Sequence, residues 1–174
     1  MESFVQTSES ILSIRPWTEG HPNLVAGFTT KNGGVSKGHF SSMNPAFHVQ
    51  DVAGDVVSNR KILAERIRVP AEKWVGAEQT HETNIAKIAA EHAGSGALDY
   101  VSALKQTDGL YTRERGVLLT LLFADCVPVF FFAPKHHLIG VAHAGWKGTV
   151  GGISKAMVEK WTSVEGVPLE DIYA

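Results

Sequence analysis

A chain of 174 residues, 44% hydrophobic and 20% charged, has the length and composition of one globular domain with a sizeable core. Its formal net charge of −2 and pI near 6.4 exclude a strong electrostatic pull toward nucleic acid or an anionic membrane. A single cysteine excludes an internal disulfide framework and suits a reducing, cytoplasmic setting.

The opening segment, MESFVQTSESILSIRPW, carries acidic residues and no basic run ahead of a long apolar core, so it does not read as a signal peptide. Leu24 to Thr30 reads as a strand, closed by the turn-forming KNGGVSKG. The stretch SSMNPAFHVQ has no sustained period and reads as a structured loop. Asp55 is expected to cap a helix running to about Arg68, with Val56, Ile62, Leu63 and Ile67 at helical spacing and Pro70 as its stop.

Trp74 to Thr80 and Thr83 to Ala89 read as two short strands around His81. The small-residue segment AEHAGSGALDYVSALKQ is a connection with room for a turn of helix. Strand character resumes in TDGLYT and GVLLTLLFAD. The run Val117 to Ala133 is the longest apolar stretch, but Asp125, Cys126 and Pro128 interrupt it, and it is too short to span a bilayer. Pro134 to His137 form the turn of a hairpin between VFFFA and LIGVAHA. A helix follows from about Val150 to Ser163, with Ile153, Met157, Val158 and Trp161 on one face. The closing EDIYA reads as the start of a strand. The fold class is therefore α/β: a single domain, 1–174, with a mixed sheet flanked by helices.

Generic motifs mostly fail. His81-Glu82 is not followed by the second histidine of a zinc protease, since position 85 is Ile. No phosphate-binding GxxxxGK[ST] loop, hydrolase elbow or cytidine-deaminase pattern is present. What stands out is a set of soft ligands. The hairpin layout lets Cys126 and His143 end side by side, and His81 lies upstream in EQTHETNI. A thiolate and two imidazoles make a three-ligand set for zinc, with a fourth position for water or substrate.

Each member has a plainer alternative. Cys126 reads equally as an inert core cysteine, although Asp125 beside it argues otherwise, because a carboxylate in an apolar run costs on the order of several kcal/mol unless it is paired. His143 reads as a satisfied core histidine or as a ligand. Gly145 and Gly148 after it let a ligand approach the backbone closely. His21, His39, His92, His136 and His137 lie in polar loops and read as solvated.

FTTKNGGVSKGHFSSMN, VSNRKILAERI, EQTHETNI, TDGLYT, FADCVPV and VAHAGWKGT occur in an order that resembles the YfiH/YlmD family, nearest its bacillary, YlmD-like branch. That family is also described as a laccase-domain or multicopper polyphenol oxidase family, with FAMIN as its mammalian relative. The similarity runs from about Gly27 to Ala174. It implies a single α/β/α-type domain and a purine nucleoside enzyme. The implied activities are phosphorolysis of adenosine, inosine, guanosine and S-methyl-5'-thioadenosine, and deamination of adenosine. The family's metal ligands fall on His81, Cys126 and His143, and zinc is the implied cofactor, with copper the alternative. Relatives continue for roughly another third of a domain, so the resemblance implies a C-terminally truncated chain.

Purine nucleosides and phosphate are then the expected partners, with the state of assembly left open between monomer and homodimer. Lys31, Lys147 and the backbone around Gly148 are candidate phosphate contacts. Lys147 stands where most relatives have arginine, which keeps the charge and loses the bidentate fork. Asn44 and His48 are candidate nucleoside contacts, with turn-making as their alternative. Asp125 is expected to orient a metal ligand, while Glu82, where many relatives have glycine, orients His81, carries a proton or is simply solvated. Two other functions compete. One is a copper-dependent phenol oxidase. The other is a non-catalytic zinc module, for which His48 is the only obvious fourth ligand.

Overall fold

Residues 2–174 are described by a computed structural model, and their contacts divide into two units, one ending at Ala71 and one running from Glu72 to Ala174. In the first unit, β1 (Phe4–Ser8), β2 (Ile11–Ile14) and β3 (Gly27–Thr29) form an antiparallel sheet in that order. Phe4 pairs with Ile14, and Leu12 with Phe28. The first two strands have no clear apolar alternation, and apart from Ile14 their residues are half-buried or exposed. A short helix, α1 (Arg15–Gly20), follows β2 directly, with proline in the first turn, where no N–H is needed.

The expected helix forms as α2 (Ala53–Ile67). Its N-cap is Val52, and Asp55 sits inside the first turn, where its charge favours the helix dipole. The buried face is Val56, Asn59, Arg60, Leu63 and Ala64. Asn59 is fully buried because its amide binds the preceding loop: Nδ2 donates to Ser36 Oγ and to the Ser42 and Asn44 carbonyls, and Oδ1 accepts the Val35 N–H. The helix stops at Arg68, which adopts a left-handed φ of 56° two residues before Pro70.

The second unit holds β4 (Trp74–Gly76), β5 (Ile85–Lys87), β6 (Gly109–Thr112), β7 (Leu118–Thr120), β8 (Val127–Ala133) and β9 (Leu138–Ala144). β4 and β7 make a parallel pair, and a four-stranded sheet runs in the order β5-β6-β9-β8. In that sheet β5 and β6 are parallel and the other pairs antiparallel, so it is mixed, as expected. The β8–β9 hairpin turns through Pro134–His136 as expected, with His137 in the left-handed region.

β3, β4 and β5 are shorter than their expected strands, and two elements depart further from their apolar patterns. GVLLTLLFAD is a strand only over β7, because beyond Thr120 the ladder gives way to a side chain: the Gln79 amide donates to the Leu122 carbonyl and accepts its N–H, both at 2.8 Å. The expected helix from Val150 to Ser163 is two helices, α3 (Trp146–Gly151) and α4 (Ile153–Ser163). Gly152 separates them with a φ of +81°, a conformation that L side chains rarely adopt.

α4 buries Ile153, Met157 and Trp161, three of the four residues expected on its inner face, while Val158 is half-buried. They join Ile85, Tyr111, Phe131, Leu138 and Ala142 in the main core of this unit. Burial of such a side chain contributes about 1.5–3 kcal/mol. EDIYA, with Leu169 before it, forms a 3-10 turn at Leu169–Asp171 and a single bridge from Tyr173 to Phe132 in place of the expected strand. Among the described residues, no helix is long and apolar enough to cross a membrane.

Candidate metal centre

Hairpin register assembles two of the three expected donors. Pro128 pairs with His143 and Val127 with Ala144, so Cys126, one residue before β8, lies beside the end of β9 that carries His143. His81 comes from the loop between β4 and β5. The donor atoms of His81, Cys126 and His143 all lie within 4.8 Å of one another. His143 is buried, Cys126 half-buried and His81 exposed, so the cluster opens from the core toward solvent. The His81 and His143 rings meet edge to face, with centroids 4.6 Å apart, and Phe123 packs edge-on against His143 at 5.4 Å.

A fully buried carboxylate, Asp108, holds the His143 imidazole and the backbone of His81. Its Oδ1 lies 2.8 Å from His143 Nδ1, which leaves Nε2 as the ring's donor to the cluster. The same carboxylate accepts the backbone N–H groups of Thr80, His81 and Glu82 at 3.1, 2.9 and 3.0 Å, and the Thr80 hydroxyl at 3.2 Å. Those bonds keep His81 at a φ of +64°, unusual for a residue with a side chain. Burial alone would raise the Asp108 pKa, but the hydrogen bonds from His143 and from the three amides outweigh it and hold the carboxyl below its ordinary value.

The Cys126 thiol is pushed up, first by burial, then by the charge and hydrogen bond of Asp125 and by the charge of Asp108. Its thiolate therefore depends on a cation at the site. The donors suit one. A tetrahedral ion holds nitrogen and sulfur ligands roughly 3.5 Å apart, and a spread of at most 4.8 Å is within small side-chain adjustments of that. The backbone also makes room: a Cβ at Gly145 would lie 3.0 Å from Cys126 Sγ and 3.1 Å from His81 Cδ2. Three donors leave a tetrahedral site one open position. Among the described residues this is the one such donor group.

The remaining expected residues are placed as follows. Asp125 is exposed, with its Oδ1 3.9 Å from Cys126 Sγ. Glu82 is exposed, and its carbonyl lies where a Cβ at Gly148 would come within 3.1 Å. Gly148 is buried in α3, and Lys147 beside it is exposed, its Nζ 5.8 Å from the Trp146 ring centroid. Lys31, Asn44 and His48 belong to the first unit. The Asn44 amide closes on its own loop, donating to Asp51 and to the Ala46 carbonyl and accepting the Ala46 N–H. Asp108 and Gln79 are site residues beyond those expected from the sequence. The signal for Asp108 was an acid set directly against the first glycine of a buried strand, and Gln79 left no signal.

A mixed α/β chain carrying a three-donor His–Cys–His centre is the class that fold and site define. The family model described as multi-copper polyphenol oxidoreductase laccase matches residues 25–174, and the chain belongs to that family. It is 49% identical to the purine nucleoside phosphorylase YlmD of Bacillus subtilis over 98% of its own length and 63% of the relative's. The crystal structure of a Bacillus licheniformis hypothetical protein, YfiH, superposes with a TM-score of 0.95 at 46% identity. That of YlmD from Geobacillus stearothermophilus superposes with a TM-score of 0.93 at 47% identity. Each superposition covers 99% of this chain and 63% of the other. The YfiH/YlmD resemblance of the sequence is thus shown.

Proposed function

We propose that this chain is a cytoplasmic purine nucleoside phosphorylase acting on adenosine, inosine and guanosine at a zinc site. Phosphorolysis of S-methyl-5'-thioadenosine and hydrolytic deamination of adenosine belong to the same proposal. The observation that carries it is the donor cluster of His81, Cys126 and His143. The name borne by the 49%-identical relative supports it. Bound zinc would supply a Lewis acid with an open position that acidifies water.

The chain's own residues prepare that chemistry. Asp108 fixes the His143 tautomer and the backbone of His81, so the donors are oriented before anything binds. In phosphorolysis a phosphate oxygen bonds to the anomeric carbon while the bond to the purine nitrogen breaks. The base leaves with the electron pair and takes up a proton. Lys147, exposed and on the helix that follows the His143 strand, offers the phosphate an ammonium group.

A second reading, oxidation of phenols with copper, takes its support from the family's description. One group of three donors among the described residues suits a single ion, whereas coupled multi-copper chemistry needs several. Chromatography of products from adenosine, with and without phosphate, tests the proposal. Phosphate-dependent adenine, with inosine as the deamination product, is the expected result. Folded, zinc-loaded protein that forms neither would overturn it.

A further inference from the structure

We infer that Trp146 is the stacking platform for the purine base, an assignment that rests on the purine nucleoside reading of the site. The indole is 74% exposed, an unusual state for the largest apolar side chain. It has exposed apolar company, with Val150 at 84% and Val127 at 59%. Exposed apolar side chains of this size on the segments of one site mark a place where something binds.

Its position favours a small planar ligand over a protein partner. Trp146 follows Gly145, whose Cα faces Cys126 and His81 closely enough that an added Cβ would touch both. Val127 follows Cys126 and pairs across the ladder with Ala144, and Val150 lies one turn along α3. All three exposed side chains therefore stand on the segments that carry or support the metal donors. A protein partner has no need of that placement, whereas a substrate of the centre requires it.

Charge narrows the ligand further. Lys147 Nζ lies over the Trp146 ring at 5.8 Å, within the range of cation–π attraction, and both side chains are exposed and free to rearrange. A π face and an ammonium group side by side match the two reactants of phosphorolysis, an aromatic base and a phosphate anion. Stacking on an aromatic side chain is tolerant of which base is presented, in keeping with a site that takes adenosine, inosine and guanosine alike.

The test is a titration of the full chain, metal-loaded, with inosine, hypoxanthine and ribose in turn. The indole N–H resonance of Trp146 is followed, assigned by its loss in Trp146→Phe. Inosine and hypoxanthine are expected to shift that resonance, and ribose to leave it in place. Trp146→Ala should weaken inosine binding about 10-fold, while Trp146→Phe keeps most of the affinity. A resonance unmoved by millimolar inosine, or an alanine variant that binds as tightly as the parent, overturns the inference. So does a shift that follows protein concentration instead of nucleoside, which would mark a contact between copies. Phosphorolysis measured in parallel separates the two ideas. Base-dependent shifts without product leave the platform standing and remove the catalytic reading. Product with a silent Trp146 does the reverse.

Discussion

Asp108 meets His143 twice: its carboxylate lies 2.8 Å from the ring Nδ1, and its carbonyl accepts the His143 N–H at 2.7 Å. Ring and backbone of one ligand are thus tied to the same residue, which also accepts three amides around the other histidine. Asp108→Asn keeps the shape but loses the charge, and an amide cannot accept all those hydrogen bonds. It is expected to weaken metal binding about 10- to 100-fold. Asp125→Asn, whose carboxylate is exposed, should weaken it less. Titration of both variants against a chromophoric chelator checks the order, and a larger effect at Asp125 would show that the orienting carboxylate has been misassigned.

Gly145→Ala tests the space around the donors. The new methyl would stand 3.0 Å from Cys126 Sγ and 3.1 Å from His81 Cδ2, closer than such atoms approach without displacement. The φ at Gly145 is −68°, so alanine is not strained there, and the chain should fold with near-parent stability. Metal affinity should fall by about 10-fold or more, by analogy with the sensitivity of sites whose ligands are displaced. Cobalt substitution reads this directly through its thiolate charge-transfer band, which should weaken or move. An unaltered band would mean that the donors close on the ion away from Gly145.

Much of this was legible in the sequence, and for specific reasons. The β8–β9 hairpin announced itself through two apolar runs around a Pro-containing turn, and its register followed from turn length, so Cys126 and His143 could be set together in advance. The α4 face was legible because Ile153, Met157 and Trp161 keep helical spacing. The N-terminal hairpin was not, since its half-exposed strands carry little alternation. Gly152 hid the break between α3 and α4, because a glycine within a periodic run does not declare its φ. Asp108 was missed for a related reason. Its importance lies in three amides and an imidazole brought from two other segments, a convergence that the one local signal, an acid directly before Gly109, does not show.

Gln79 was invisible on the same grounds, and it makes a strong test. Its amide completes both backbone hydrogen bonds of Leu122, joining the segment before His81 to the segment before Cys126. Gln79→Leu leaves the Leu122 N–H and carbonyl without this partner, at a cost of about 1–3 kcal/mol. Equilibrium denaturation in urea should show that loss, together with weaker metal binding, because two ligand segments lose their tie. Lost stability with unchanged metal affinity would make the contact a fold element only.

Glu165 provides a dependence on pH. Its carboxylate is 5% exposed and receives Lys87 Nζ at 2.8 Å, Arg113 Nε at 3.2 Å and the Tyr111 hydroxyl at 3.1 Å. Burial raises its pKa, but these three partners outweigh burial and hold it below the ordinary value. Tyr111 is pushed up to about 12, by burial first and then by its hydrogen bond to Glu165, so its hydroxyl remains a donor throughout the working range. A carboxylate with a depressed folded pKa contributes stability above its unfolded value of about 4.3 and loses it as pH falls through the folded value. Glu165→Gln should therefore destabilise the chain by about 1–3 kcal/mol near neutrality, discounted for the partly exposed Lys87 and Arg113. The gap between parent and variant should narrow as pH falls below the unfolded value and through the folded one, where the parent carboxyl takes up its proton. Urea midpoints measured across that interval decide it: a gap independent of pH would assign the loss to packing and hydrogen bonding, with no contribution from the ion pairs that tie the segment after α4 to β5 and to the residue after β6.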